Sequence, residues 1–244
     1  MISGFMSLFG RLFGRGKEVD FNGFTDWHSH ILPGVDDGVK TLDESLAILD
    51  EYEKMGFREV WITPHIMEDM PNATESLRNK FIQLGDAYNG PICLNLASEN
   101  MIDLLFSERL AARDFLPIGR QGKMLLVETS CFNSPMGFEK TMERIKDAGL
   151  CPLIAHPERY AYVESLAEFG RWKDMGCGLQ LNLLSLGGFY GPRAMELSRM
   201  MLKNRMYDCV GSDIHKAAQV TALKKLKLSP ELLDNLQLLL YTQY

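Results

Sequence analysis

The sequence predicts an α/β protein, a TIM-like (β/α)7–8 barrel, on three observations. Short apolar runs alternate with longer segments of helical period through most of the 244 residues, which argues for a parallel sheet. About seven such units follow one another, a number that suggests closure into a barrel. All five histidines, His28, His30, His65, His156 and His215, fall at or just past the end of an expected strand. Strand carboxyl ends are where barrels of this type place their chemistry.

Residues 1–18 differ from the rest. Phe5, Leu8, Phe9, Leu12 and Phe13 recur at helical spacing, with Arg11, Arg15 and Lys17 on or near the other face. The segment is expected to be an amphipathic or flexible arm able to lie on a membrane surface or a partner. Its four glycines weaken any helix. Residues 19–244 are expected to form one domain.

The segment Val19 to Trp27 leads into His28-Ser29-His30. In extended backbone, residues i and i+2 point the same way, so the two imidazoles can share one ion. A turn rich in Pro, Gly and Asp follows, from Pro33 to Gly38. Thr41-Leu42-Asp43-Glu44 is a capping box that opens a helix, and Gly56 ends it. Val60 to Thr63 reads as a buried strand that stops at Pro64-His65. A loop, Met67 to Asn72, leads to a helix with Leu77, Phe81, Leu84 and Tyr88 on one stripe.

Ile92 to Ala97 is strand-like and stops at Ser98-Glu99, with a helix expected over Met101 to Ala112. Met124 to Val127 is a strand ending at Glu128, followed by a helix from Phe138 to Ala148. Pro152 to Ala155 ends at His156-Pro157-Glu158-Arg159, and the next helix passes through Leu166 and Trp172. Leu179 to Asn182 is a strand that brings no histidine. After glycines 187, 188 and 191 comes a helix from Ala194 to Asn204. Tyr207 to Val210 is the last strand, ending at Gly211-Ser212-Asp213-Ile214-His215. Ser229-Pro230-Glu231 opens a final helix.

Composition narrows the function. A net charge of −6 and a pI near 5.4 argue against broad nucleic-acid binding, which needs basic patches. No apolar run reaches the roughly 18 residues of a spanning helix. The five scattered cysteines read as free thiols in a reducing compartment. None has an arginine six positions later, as thiolate-type phosphatases require, so cysteine-nucleophile chemistry of that kind is not expected.

The strand ends also carry Glu99, Glu128 and Asp213. Imidazoles and carboxylates at one rim suit Mn, Fe or Zn, and the carboxylate share also allows Mg. Several carboxylates in one pocket repel each other unless cations neutralise them. Two or three ions about 3.5–4 Å apart are the usual arrangement for phosphate ester hydrolysis.

As an ordered set, His28-x-His30, Pro64-His65, Ser98-Glu99, Glu128, His156-Pro157-Glu158-Arg159-Tyr160 and Gly211-Ser212-Asp213-Ile214-His215 resemble the polymerase-and-histidinol-phosphatase (PHP) superfamily. His28 to Gly38 together with His156 to Tyr160 resembles, more narrowly, the bacterial PHP-type protein-tyrosine phosphatases of capsular and exopolysaccharide synthesis. The resemblance spans residues 20–216 and implies a distorted barrel, the PHP fold. It implies a first metal on His28, His30, Glu99 and Asp213. A second would share Glu99 and add Glu128 and His156. A third would take Asp37, His65 and His215. Asp36 remains an alternative to Asp37. Asp26 resembles a residue that orients a ligand imidazole.

Arg159, with Asp37 and His215, is the candidate catalytic set. A guanidinium at this position would grip phosphate oxygens. An ion pair with Glu158 or another acid is the competing role. Relatives often carry a further arginine past the last histidine, where this chain has Lys216.

The implied activity is metal-assisted hydrolysis of phosphotyrosine, with manganese the first expectation. The implied partner is a membrane tyrosine kinase of polysaccharide export, and the implied location is the cytoplasm at the inner membrane face. The Met67–Asn72 loop, Phe132, Phe189 and Tyr190 are expected to line the mouth. Three other readings stay open. One is a phosphatase of histidinol phosphate or another small molecule. The second is an amidohydrolase-like enzyme, although that class commonly has lysine where Glu128 stands. The third is a non-catalytic, metal-stabilised scaffold.

Overall fold

The computed structural model describes residues 16–240. Most of the amphipathic segment expected over 1–18 lies outside these residues. Its last two positions form strand β1 (Lys17–Glu18), which pairs antiparallel with β11 (Lys227–Leu228).

The core is a curled parallel sheet in an α/β arrangement. A three-stranded part holds β2 (Thr25–Ser29), β3 (Glu59–Ile62) and β5 (Cys93–Leu96), in the order β2-β3-β5. A six-stranded part holds β4 (His65–Ile66), β6 (Glu99–Met101), β7 (Met124–Glu128), β8 (Cys151–Ala155), β9 (Gly178–Asn182) and β10 (Cys209–Gly211). Its order is β10-β9-β8-β7-β6-β4. Strand β3 runs on into β4 across Thr63-Pro64, and β5 into β6 across Ala97-Ser98. Proline has no N–H to give the ladder, so a break at Pro64 is expected. The two parts meet again at a parallel bridge between Ser29 and Ile214.

Helices connect the strands, as the sequence pattern requires. Helix α1 (Leu42–Met55) has the expected capping box between Thr41 and Glu44, and Gly56 closes it at φ 86°. Then come α2 (Thr74–Ala87), α3 (Phe106–Ala112), α4 (Phe138–Asp147), α5 (Leu166–Asp174), the short α6 (Leu183–Leu186) and α7 (Pro192–Lys203). Helices α8 (Ala217–Lys224) and α9 (Pro230–Leu240) complete the described chain.

Two elements differ from the sequence pattern. Helix α3 starts at Phe106 rather than Met101, because residues 99–101 pair with β7 and Asp103 caps the turn by accepting from Leu105 N–H at 3.0 Å. Helix α8 was not legible, since its apolar residues do not form one stripe.

The sheet separates two apolar groups. A large one fills the space between strands and helices. A smaller one contains Trp27, Trp61, Ile118, Leu126, Leu153 and Cys209. Trp27 stacks on Trp61 with ring centroids 5.5 Å apart. Trp27 immediately precedes His28, and the β2–β3 register shifts between Asp26 and Ser29. The apolar group therefore directly adjoins the histidine-bearing strand end.

Candidate metal centre

All nine expected ligands come together. His28 and His30, at the end of β2, bring their Nε2 atoms within 3.0 Å of each other. Both reach Glu99 Oε2 at 3.2 Å, and Asp213 Oδ1 at 3.5 and 3.3 Å respectively. His65 Nδ1 lies 3.1 Å from Glu99 Oε2 and 3.0 Å from Glu128 Oε1. His156 Nε2 is 3.0 Å from Glu99 Oε1 and 3.7 Å from Glu128 Oε2. On the outer side, Asp37 Oδ1 is 3.4 Å from both His65 Nε2 and His215 Nε2.

These spacings fit divalent cations. Metal–ligand bonds of about 2.1 Å leave neighbouring donors about 3.0–3.4 Å apart. Three groups of donors are each compact enough to hold an ion: His28, His30 and Glu99; His65, Glu99 and Glu128; and His30, Asp37, His65 and His215. The first is the expected set without Asp213, whose Oδ1 lies 3.5 and 3.3 Å from the two imidazoles, and the third is the expected set with His30 added. In the second, His65 joins Glu99 and Glu128, and His156 reaches the same two carboxylates from their other oxygens. Three of these donors, His65 Nδ1, Glu99 Oε2 and Glu128 Oε1, are buried without a hydrogen-bond partner. A buried polar atom without a partner is costly, and a cation would satisfy all three.

The electrostatics agree. Burial opposes a charge on His30, yet the carboxylates of Asp213, Asp36 and Glu99 outweigh it and raise its pKa well above the usual value. Burial likewise opposes ionised Glu99, but the imidazoles of His28, His65 and His156 hold its pKa well below normal. Asp213 behaves the same way beside His28, His30, His215 and Arg159. Where no cation sits among these acids, protons on imidazoles balance them. Metal binding would displace those protons.

Backbone geometry supports the site. His156 and Asp213 are non-glycine residues in the left-handed region, at φ 34° and 54°. Such positions are held only where the surroundings enforce them, and they concentrate at functional sites. Gly211 lets β10 approach β2: a Cβ there would collide with His28 Cβ, and it would lie 3.2 Å from the His28 backbone nitrogen.

The structure separates Asp36 from Asp37. Asp36 is buried; its Oδ2 accepts from His30 Nδ1 at 2.9 Å and from His65 N–H at 3.2 Å, and its Oδ1 from Gly38 N–H at 2.9 Å. It orients His30. Asp37, 59% exposed, offers its oxygen to His65 and His215.

Asp26 does not orient an imidazole. It accepts from the backbone N–H groups of His28 and Ser212 and from the hydroxyls of Tyr52 and Ser212, which joins β2 to β10. Burial pushes its pKa up to about 6. Gln180 takes the expected role instead, with Oε1 2.6 Å from His28 Nδ1. Asn182 Nδ2 donates to Asp213 Oδ2 at 2.8 Å. Sequence reasoning passed over both because β9 lacks a histidine. The signal was there: Gln180 and Asn182 are polar at i and i+2 in an otherwise apolar strand.

Arg159 donates to Asp213 Oδ2 at 2.8 Å and stacks over the Tyr190 ring, 4.2 Å from its centroid. Its acid partner is therefore Asp213. Glu158 is turned away, accepting from Asn182 N–H and Tyr207 Oη, both at 3.0 Å. Tyr190 borders the centre, with its hydroxyl 3.5 Å from Asp213 Oδ2. Phe189 stands edge-on against Tyr190, with ring centroids 5.2 Å apart. The Met67–Asn72 loop is tied to the site through Asn72, whose Nδ2 donates to the His65 carbonyl at 2.8 Å. Phe132 is 79% exposed. Lys216 is exposed.

The chain is 29% identical over 200 residues to the tyrosine-protein phosphatase CpsB of Streptococcus pneumoniae, covering 78% of this chain and 82% of that protein. It is 25% identical over 195 residues to the tyrosine-protein phosphatase YwqE of Bacillus subtilis strain 168, covering 78% and 76%. A crystal structure from work on YwqE and CpsB, described there as unique metal-dependent tyrosine phosphatases, matches with a TM-score of 0.74 at 25% identity, over 90% of this chain and 95% of the other. The profile of the family described as capsular polysaccharide synthesis, CpsB/CapC, matches residues 24–226. The histidine-rich strand ends lie within that span, and the chain belongs to the CpsB/CapC family.

Proposed function

We propose that this chain is a metal-dependent protein-tyrosine phosphatase acting in capsular or exopolysaccharide synthesis. The observation that carries the reading is the convergence of His65 Nδ1, Glu99 Oε2 and Glu128 Oε1, buried and without hydrogen-bond partners, in a cluster of five imidazoles. Its relatives CpsB and YwqE are named tyrosine-protein phosphatases, and the matching crystal structure is described as metal-dependent. Two or three divalent ions, manganese first, would be held by His28, His30, Asp37, His65, Glu99, Glu128, His156, Asp213 and His215. When bound, such ions lower the pKa of water and neutralise phosphate oxygens.

The chain's own residues do the rest. Arg159, already aimed at the centre and braced on Tyr190, grips the phosphate with its guanidinium. Asp213 uses Oδ1 toward His28 and His30 while Arg159 and Asn182 hold its Oδ2. Asp37 and His215 stand on the solvent side, where as ligands they would place a cation beside the leaving oxygen. Tyrosine has a pKa of about 10, so its oxygen leaves without a strong acid.

The sheet is read as a distorted (β/α)7–8 barrel of the PHP type. In support, Asp213 N–H donates to the His28 carbonyl at 2.8 Å and His30 N–H to the Ile214 carbonyl at 2.9 Å, bringing β10 beside β2. The substrate is taken to be a membrane tyrosine kinase, with the enzyme at the cytoplasmic face of the membrane. The basic amphipathic pattern of residues 1–18 supports that placement. Among the described residues no helix is long and apolar enough to cross a membrane.

The manganese-loaded protein should release phosphate from a phosphotyrosine peptide faster than from histidinol phosphate. The His28→Ala/His30→Ala variant should not release it. Turnover by that variant at the wild-type rate overturns the proposal.

A further inference from the structure

The three most exposed large apolar side chains of the described residues are Leu104, Phe132 and Met136, at 84, 79 and 99%. All three lie on segments leaving the carboxyl ends of β6 and β7, neighbouring strands that carry Glu99 and Glu128. The segments start side by side, with Ile102 N–H donating to the Glu128 carbonyl at 2.9 Å.

Both segments are anchored. Asp103 Oδ1 accepts from Leu105 N–H at 3.0 Å and Oδ2 from Glu68 N–H at 2.6 Å, fixing the turn on either side of Leu104. Ser130 Oγ accepts from Phe132 N–H at 3.2 Å. The Cys131 carbonyl accepts from Ala161 N–H at 2.6 Å, two residues beyond Arg159. Thr129 Oγ1 and Tyr162 Oη share a further bond at 2.7 Å. The segment that carries Phe132 is therefore tied both to the Glu128 strand end and to the turn that carries Arg159.

Large apolar side chains left exposed on neighbouring segments that leave a reactive centre mark a contact surface. Anchoring also reduces the entropy lost when a partner binds. Glu68, whose N–H is held by Asp103, its neighbour Asp69, and Glu108 are exposed acids beside Leu104 that would repel anionic lipid headgroups. A polypeptide suits the place better. A phosphotyrosine held at the centre would put its chain neighbours over the loops that border it.

We propose that Leu104, Phe132 and Met136 form a docking surface for apolar residues flanking the phosphotyrosine of a protein substrate. This rests on the phosphatase reading and adds its selectivity. It predicts that the enzyme distinguishes substrates by the residues beside the tyrosine, through KM rather than through the chemical step.

The test uses the manganese-loaded full chain and the Leu104→Ser/Met136→Ser variant, with Phe132→Ser added separately. Substrates are phosphotyrosine peptides flanked by Leu and Phe or by Gly and Ser, together with p-nitrophenyl phosphate. The wild type should favour the apolar peptides by about tenfold or more in kcat/KM. The double variant should lose most of that preference, keep its rate on p-nitrophenyl phosphate and melt at the wild-type temperature. Phe132→Ser should weaken the preference further. Equal wild-type rates on both peptides overturn the proposal, as does a preference that survives the substitutions. Loss of binding to anionic vesicles in the double variant, with the peptide preference intact, also overturns it and assigns the surface to a membrane. A wild type inactive on all three substrates overturns the phosphatase reading itself.

Discussion

The Gln180 side-chain oxygen lies 2.6 Å from Nδ1 of His28 while its nitrogen donates to the Trp27 carbonyl at 3.1 Å. The Trp27 carbonyl can only accept, so the amide orientation is fixed. His28 must then carry its proton on Nδ1, which leaves Nε2 free to face Glu99 and Asp213. Partners of this kind behind a metal-bound histidine typically contribute about 10–100-fold in metal affinity. The Gln180→Leu variant should fold and bind manganese about 10–100-fold more weakly by calorimetric titration. Unchanged affinity would show that the Gln180 contact does not set the tautomer.

Adjacent aspartates should respond in opposite ways. Asp36 accepts three hydrogen bonds in a buried position, so Asp36→Ala leaves His30 Nδ1 and two backbone N–H groups unpaired. A loss of about 2–4 kcal/mol in urea-unfolding stability is expected. Asp37 is 59% exposed, so in the manganese-loaded protein Asp37→Ala should cost less than Asp36→Ala, about 1 kcal/mol or less, while lowering kcat at least about tenfold. The same stability loss in both variants would remove the distinction.

Arg159 is expected to act on the phosphate despite its bond to Asp213. Arg159→Ala should lower kcat/KM about 10²–10³-fold on a phosphotyrosine peptide. Arg159→Lys should recover only part of that, because an ammonium cannot offer two parallel N–H donors or stack comparably on Tyr190. Full activity in the lysine variant would reduce the role of Arg159 to a point charge.

Much of this site was legible before the structure. His28 and His30 could be paired from strand periodicity alone, and Glu99, Glu128, His156 and Asp213 were marked by their position at strand ends. The order of the motifs singled out Arg159. Gln180 and Asn182 were harder to see, because amides in a buried strand look like ordinary structural polarity until their partners are known. That His65 also reaches Glu99 and Glu128 was hidden too, since strand order alone does not tell which neighbouring strand ends an imidazole touches. Helix α8 escaped because its packing needs Gln219, Val220 and Leu223 buried on a segment with no clear apolar stripe.

The pH response of the metal-free protein gives a final check on the charge balance. Burial and the neighbouring His30 charge oppose protonation of His65, but Glu99, Asp37 and Glu128 outweigh them and push its pKa up to about 10. The unfolded value is about 6.5. The folded state therefore binds this proton more tightly than the unfolded state. The resulting stability is fully present below pH about 6.5 and is lost as pH rises toward about 10. The chelated protein should melt at progressively lower temperature across that window. The manganese-loaded protein should not show this decline, because deprotonated imidazoles bind the ion more tightly as pH rises. Thermal melts of both forms at several pH values decide the matter. A flat profile for the chelated protein would mean that the carboxylates are balanced by something other than protons on this imidazole.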